Sequence, residues 1–217
     1  MKRLVTIAMA CMALLMVGCA NQIKDKKDFT NFNAAAPRSI LVVPSVNKSL
    51  DVDAPNYLLT TLTIPLAEKG YYVFPVHTVK TVLEQEGFYE GERIHAQPPE
   101  ALAKIFGADA VLYVTINRWD AKYAILTTVV TVEFDYKIVS KNGVDIWEAK
   151  KTMQYSPDNS NQQGHPLAIL IASAISAATT RAAPNYMPLT KQANYQVFMM
   201  GPDAIPNGPY AKESDQK

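Results

Sequence analysis

Two short runs rich in β-branched and aromatic residues, Ser39-Ile-Leu-Val-Val-Pro44 and Tyr71-Tyr-Val-Phe-Pro75, each end at a proline and enclose a segment with helical periodicity. A run that is apolar at consecutive positions suits a strand buried on both faces, and such a strand needs helices on both sides of its sheet. Between the runs, Asp53 is placed to cap a helix, Pro55 is tolerated in its first turn, and Leu59, Leu62 and Leu66 recur three and four residues apart. Pro65 interrupts that stripe, so a kink or break is expected there, with Thr63 as a second cap, before Gly70 ends the helix. Beyond the second run, Val79, Val82 and Leu83 mark another helix that stops at Gly87. The order βαβα implies parallel strands.

Residues Phe88 to Pro98 read as a polar loop and Pro99 to Phe106 as a short helix with Leu102, Ile105 and Phe106 on one face, stopped by Gly107. Ala110 to Ile116 is a third apolar strand. From Tyr123 to Val139 the period changes to two: Leu126, Val130, Val132, Phe134, Tyr136 and Ile138 alternate with Thr131, Glu133, Asp135 and Lys137, which gives a long strand with one wet face. Trp119 and Tyr123 flank a turn at Asp120 to Lys122 in this reading. Lys141-Asn142-Gly143 supplies a hairpin turn, and Trp147, Ala149, Met153 and Tyr155 mark the returning strand. Pro166 to Arg181 has helical spacing and many small residues, short of a membrane span and suited to packing on the sheet or across a dimer axis. A last helix covers Tyr186 to Met200. The expected fold class is α/β, with a mixed sheet, parallel first and antiparallel later, and helices packed on it.

Ahead of this domain, Met1 to Gly18 is a short apolar leader with Lys2 and Arg3 at its front, and Met16-Val-Gly-Cys19 resembles a lipobox. The pattern predicts cleavage before Cys19 and lipid on its sulfur, and Ala20 in the following position points to the outer membrane. Acyl chains on Cys19 would give durable anchoring without a transmembrane helix. Loss of the leader takes Cys11 away and leaves no thiol for a disulfide; loss of Lys2 and Arg3 lowers the formal charge from +1 to −1. With no basic field, nucleic acid is not an expected partner. The division expected is 1–18 signal peptide, 19–37 polar lipidated tether with a reach of roughly 60 Å when stretched, 38–201 one α/β domain, and 202–217 a disordered tail.

Chemistry is sparse. His77, His95 and His165 stand in separate segments, none at metal-ligand spacing from another histidine or a free cysteine, and no cofactor or metal is expected. There is no Gly-x-Ser-x-Gly elbow, no Gly-x-Gly-x-x-Gly turn and no phosphate loop after the first strand. In that place stands Pro44-Ser-Val-Asn-Lys-Ser49, whose Asn47, Lys48 and Ser49 are candidates for a small anion. His95, among Glu90 and Glu92, is a candidate acid or base, and Trp119 with Tyr123 a candidate partner contact. No catalytic residues are assigned. The leading class is a binding module; the alternatives are a periplasmic ligand-binding or hydrolytic domain using the 45–49 loop or His95, and a structural spacer to the cell wall.

The leader with Cys19, Ser39 to Pro44, Asp51-Val-Asp-Ala-Pro55, Pro65 to Val76 and Ile105 to Ile116 together resemble a family of Gram-negative outer-membrane lipoproteins of unassigned function. Members of that family are similar in fold to the N-terminal domain of TolB and to the periplasmic part of CsgG-type curli-secretion lipoproteins, and tend to be encoded beside a CsgG-like lipoprotein. The resemblance implies a non-enzymatic accessory of an envelope assembly or secretion system, lipid-anchored and facing the periplasm. Its implied partners are envelope proteins, among them a CsgG-like lipoprotein, with a homodimer as a further possibility. It brings no catalytic residues.

Overall fold

The structure, a computed structural model, describes residues 27–123, 128–155 and 185–212. In chain order these form α1 (Thr30–Ala35), β1 (Ser39–Val42), β2 (Val46–Asn47), α2 (Ala54–Glu68), β3 (Tyr72–Val73), α3 (Val76–Gln85), α4 (Gly91–His95), α5 (Pro99–Phe106), β4 (Ala110–Tyr123), β5 (Thr128–Ser140), β6 (Asp145–Tyr155) and α6 (Met187–Met199). The strands build one mixed sheet in the order β3-β1-β4-β5-β6, with β2 pairing β4 beyond the end of β1. β3, β1, β2 and β4 are mutually parallel, and β4, β5 and β6 run antiparallel. The α/β class and the change from parallel to antiparallel pairing are as the two apolar periods imply.

Ile40, Leu41, Val42 and Val43 are wholly buried because the sheet is covered on both sides here. One face of the sheet meets α2, α6 and α1: Ile40, Val42, Leu112 and Phe134 pack with Leu58, Leu62 and Leu66 of α2 and with Leu189 and Phe198 of α6. The opposite face meets α3, α4 and α5, where Leu41, Val43 and Val111 pack with Val79, Leu83, Ile94 and Leu102. Among the buried residues, that second layer reaches β5 only at Val139 and takes in none of β6. Their odd- and even-numbered rows Glu133, Asp135, Lys137 and Glu148, Lys150, Thr152 stay on the wet side.

Several boundaries differ from the expectation. The third strand does not end at Ile116: it continues as β4 to Tyr123, paired through to Thr128 of β5, so Trp119 lies within a strand and not beside a turn. A bulge at Asn117, where the register shifts between Ile116 and Arg118, is the reason. One extra residue reverses the parity, so Ile116 and Trp119 point to the same face and the period of two is broken in the sequence. The polar segment read as a tether contains α1, whose Phe32 is buried against Tyr71. The segment read as a disordered tail is packed from Pro202 to Lys212: Ile205 is buried, Pro206 accepts a hydrogen bond from the Tyr71 hydroxyl at 2.7 Å, and Tyr210 lies beside the Arg38 guanidinium. Gly70, at φ +89°, and Gly208 let this segment approach so closely that neither position has room for a side chain. The expected loop 88–98 contains the single turn α4. Helix α2 runs through Pro65 without a break, since Pro65, Leu62 and Leu66 are all buried and hold it in the core. The small-residue helix expected over 166–181 lies outside the described residues.

Two polar devices tie the layers together. The Tyr136 hydroxyl of β5 donates to Asn194 Oδ1 of α6 at 2.6 Å; Asn194 Nδ2 donates to Thr61 Oγ1 of α2 at 2.7 Å; and Thr61 donates to the Leu58 carbonyl. All three side chains are buried, and burial pushes the Tyr136 phenol far above its ordinary pKa. At the other end of the sheet, Asp109 accepts from the Arg38 amide, the Ser39 hydroxyl and Lys141 Nζ, joining the starts of β1 and β4 to the β5–β6 turn.

Replacing Asn194 by Ala leaves the buried Tyr136 hydroxyl without its acceptor, and urea unfolding is expected to show a loss of about 2–3 kcal/mol. Tyr195→Ala on the exposed side of the same helix changes stability by less than about 0.5 kcal/mol. For Asp109, burial pushes the carboxyl up, but the hydrogen bonds from Lys141, the Arg38 amide and Ser39 together hold it below its ordinary value. Its contribution is therefore present above the unfolded carboxylate pKa and is lost as pH falls through the lower folded one. The stability gap between wild type and Asp109→Asn is expected to be about 1 kcal/mol at neutral pH, limited by solvent screening, and to close between about pH 5 and pH 3.

Candidate functional site

In an open α/β sheet, ligands bind outside the carboxyl ends of the strands at the point where successive connections leave to opposite faces. Here that point lies between β1, whose chain leaves to α2 on one face, and β3, whose chain leaves to α3 on the other. It is filled by α4. Gly91 sits so close to the Ser45 carbonyl that a Cβ there has no space, Ile94 is wholly buried, and His95 Nε2 donates to the Pro44 carbonyl at 3.1 Å. A carbonyl only accepts, so the bond assigns the ring proton to Nε2 in the neutral imidazole. Burial holds His95 below its ordinary pKa, against the opposing pull of the Pro44 carbonyl and the Glu92 carboxylate. His95, expected in a solvated loop, is thus a half-buried brace for the β1–β2 connection.

In the candidate anion loop the polar atoms of Asn47 and Ser49 are taken up by the loop itself, whereas the buried Ser45 hydroxyl has no hydrogen-bond partner among the described residues. Asn47 Nδ2 donates to the Asp51 carbonyl at 2.8 Å, while its Oδ1 accepts from the Ser49 amide at 3.0 Å and the Ser49 hydroxyl at 2.8 Å. Asp51 Oδ1 in turn accepts from the Asp53 amide at 2.9 Å. Asn47 and Ser49 spend their polar atoms shaping the entry to α2, and Lys48 is exposed.

Beside α4, a cleft of about 1080 Å³ opens over the uncovered part of the sheet. His95, Gln97 and Pro99 form one wall; Tyr113, Thr115, Asp135 and Lys137 lie on its floor. The ring of Tyr113 meets His95 edge-on at 5.0 Å, and its buried hydroxyl has no hydrogen-bond partner. Burial, then the nearby Glu100 carboxylate, pushes that phenol up to about 12. The alternation of charged residues on β5 signalled this wet face, whereas the wall from α4 carried no sequence signal. Among the described residues no group of three or more His, Cys, Asp or Glu is placed to hold a metal, and no helix is long and apolar enough to cross a membrane.

Trp119 is not available to a partner. It is 3% exposed, stacked by Tyr57 at 6.4 Å and 6° and met by Tyr186 at 5.0 Å with its ring tilted by 34°, and it fastens the outer part of β4 to the starts of α2 and α6. Tyr123 is the last residue of β4.

The family model described as "Putative lipoprotein GNA1162-like" matches residues 27–210. This chain belongs to that family. A lipoprotein of Neisseria meningitidis serogroup B, NMB1124/NMB1162, is 34% identical over 186 residues, which cover 85% of this chain and 86% of that protein. The crystal structure of lipoprotein GNA1162 from Neisseria meningitidis aligns with a TM-score of 0.55 at 37% identity, over 67% of this chain and all of that one. The family resemblance read from the sequence is therefore shown. Its match begins at Lys27 and ends at Tyr210, so it takes in α1 and the packed C-terminal segment, beyond the 38–201 unit that composition suggested.

The lipoprotein's His95 is expected to titrate below 6.5 by NMR. Stability from this residue is full above the unfolded pKa of about 6.5 and declines as pH falls through it, because the unfolded chain takes up the proton first. Tyr113→Phe removes a buried hydroxyl that has no partner and is expected to leave the melting temperature unchanged or slightly raised.

Proposed function

We propose that this lipoprotein is a non-enzymatic interaction module of the cell envelope, held on the periplasmic face of the outer membrane by lipid on Cys19, and an accessory of an outer-membrane assembly or secretion system. The observation that carries the reading is α4 packed over the chain just beyond β1, with Gly91 seated on Ser45 and His95 bonded to Pro44, at a place where a small-molecule site of this fold class uses free backbone groups. Membership of a lipoprotein family supports envelope anchoring. Cys19 stands eight residues before Lys27, where the family match begins, so even a fully extended stretch between them spans only ~28 Å and would keep the domain close to its membrane. The partner implied by the family resemblance is an envelope protein, a CsgG-like lipoprotein among the candidates. The small-residue segment 166–181 is a candidate for self-association.

In-cell crosslinking followed by detergent extraction, affinity capture and mass spectrometry tests this reading, with Cys19→Ala as the comparison. Recovery of one specific envelope lipoprotein or channel, lost with the anchor, is the expected outcome. A protein that crosslinks to nothing and remains monomeric would sink it.

The second reading, a small-ligand or hydrolytic domain, is favoured by the unpartnered Tyr113 hydroxyl in the cleft beside His95. It requires that His95→Ala abolish binding of, or action on, an envelope metabolite. An envelope phenotype indifferent to His95→Ala and Lys48→Ala removes it.

A further inference from the structure

The loop between β2 and α2 combines two properties that seldom meet. Its backbone is braced by the Asn47, Ser49 and Asp51 side chains, through the hydrogen bonds already described and a further one from the Asp51 amide to Ser49 Oγ at 3.3 Å. It is fixed at both ends, by the Lys48 amide on the Ile116 carbonyl at 2.9 Å and by the Ala54 amide on the Asp51 carbonyl. Yet the apolar residues this framework presents, Leu50 and Val52, are 100% and 83% exposed. Single exposed aliphatic residues need no explanation, but here two of them stand on one six-residue loop braced by its own polar side chains.

We propose that Leu50 and Val52 are the anchor residues of a protein–protein contact, seated in an aliphatic pocket of an envelope protein whose rim carries lysine or arginine. The proposal rests on the interaction-module reading and names the surface it uses. Rigid aliphatic knobs lose little freedom when they bind, so the cost of ordering the loop is met during folding, before any partner arrives. The occupant is a protein and not a lipid surface because Asp51 and Asp53 alternate with the two apolar residues. Burying Leu50 and Val52 in a bilayer would carry both carboxylates into its headgroups with Lys48 as the one basic residue of the loop to offset them, whereas a cationic pocket rim complements them. Asn47 and Ser49, candidates for ligand contact on sequence grounds, act as positioning residues for the knob.

The test uses the full lipidated chain in cells, with photoreactive p-benzoylphenylalanine placed in turn at Leu50, at Val52, and at the exposed control positions Ile105 and Val144. An adduct to one envelope protein from 50 and 52 but not from the controls is expected. That protein, once identified and purified, is then titrated with the wild-type chain and with variants. Leu50→Asp is expected to weaken binding about 100-fold or more, and Asn47→Ala, which keeps both apolar side chains and frees the loop, about tenfold. Asp53→Lys should weaken it further and reverse the salt dependence. Adducts from the control positions alone would overturn the anchor assignment and leave the interaction-module reading in place; no adduct from any position would overturn both. Flotation with phosphatidylethanolamine–phosphatidylglycerol vesicles that depends on Leu50 would make the occupant a membrane. An adduct to a second copy, with a shift in sedimentation on Leu50→Asp, would make it this chain itself. Either result overturns the proposal.

Discussion

The pairing of β4 on both its sides is the constraint on which the rest of the structure depends. On one side it carries β1 and β2 in parallel, and on the other it runs antiparallel to β5 along its full length. The parallel half brings in helices on both faces, as crossover connections must, while the antiparallel half can leave one face to water. The two-layered core near β1 and the open charged face near β6 both follow from β4 being the boundary between these regimes. The bulge at Asn117 then re-aims the outer part of the strand, so that Trp119 joins the core and clamps Tyr57 and Tyr186.

The face shared by α2 and α6 adds specificity to that burial. Leu58, Leu62, Leu189 and Phe198 are buried there, but apolar burial alone tolerates sliding and repacking. The Tyr136–Asn194–Thr61 chain does not, since each buried polar atom is satisfied only in one register of α6 against α2 and β5. Asp109 performs the equivalent task at the edge of the domain, where it holds the first residues of β1 and β4 level with the β5–β6 turn.

Elements with a clean period were legible in the sequence. The run Ile40 to Val43, the leucines of α2, the alternation along β5 and the Lys141-Asn142-Gly143 turn each specify their structure locally. What escaped was set by a few long-range contacts inside segments of polar composition. Phe32 is the only buried side chain of α1, and Ile205 anchors most of the C-terminal segment, so neither element produces a periodic signal. The bulge hid the length of β4 because it breaks alternation at the residue where alternation is sought. In the loop after β1 the polar residues Asn47, Lys48 and Ser49 were legible as a cluster and read as candidates for an anion, but their direction was not. Asn47 and Ser49 point their donors and acceptors back at their own backbone, a choice that depends on the pairing of β2 with β4.

That inward direction changes where function can reside. A crevice at the carboxyl ends of parallel strands offers free backbone groups to a ligand; here α4 covers the Pro44 and Ser45 carbonyls, and the adjoining loop takes up the side-chain polar atoms of Asn47 and Ser49. Polar atoms committed in this way cannot recognise a small molecule, but they can stiffen the surface that surrounds them. A chain that spends polar side chains on loop geometry, and leaves aliphatic side chains on that loop, would recognise a partner by shape and apolar burial at an interface more readily than by hydrogen bonding inside a pocket. Such a surface suits a lipid-anchored domain. Confinement close to a membrane already raises the encounter frequency with neighbours held in the same plane, so a small rigid contact can be sufficient where a soluble protein would need a larger one.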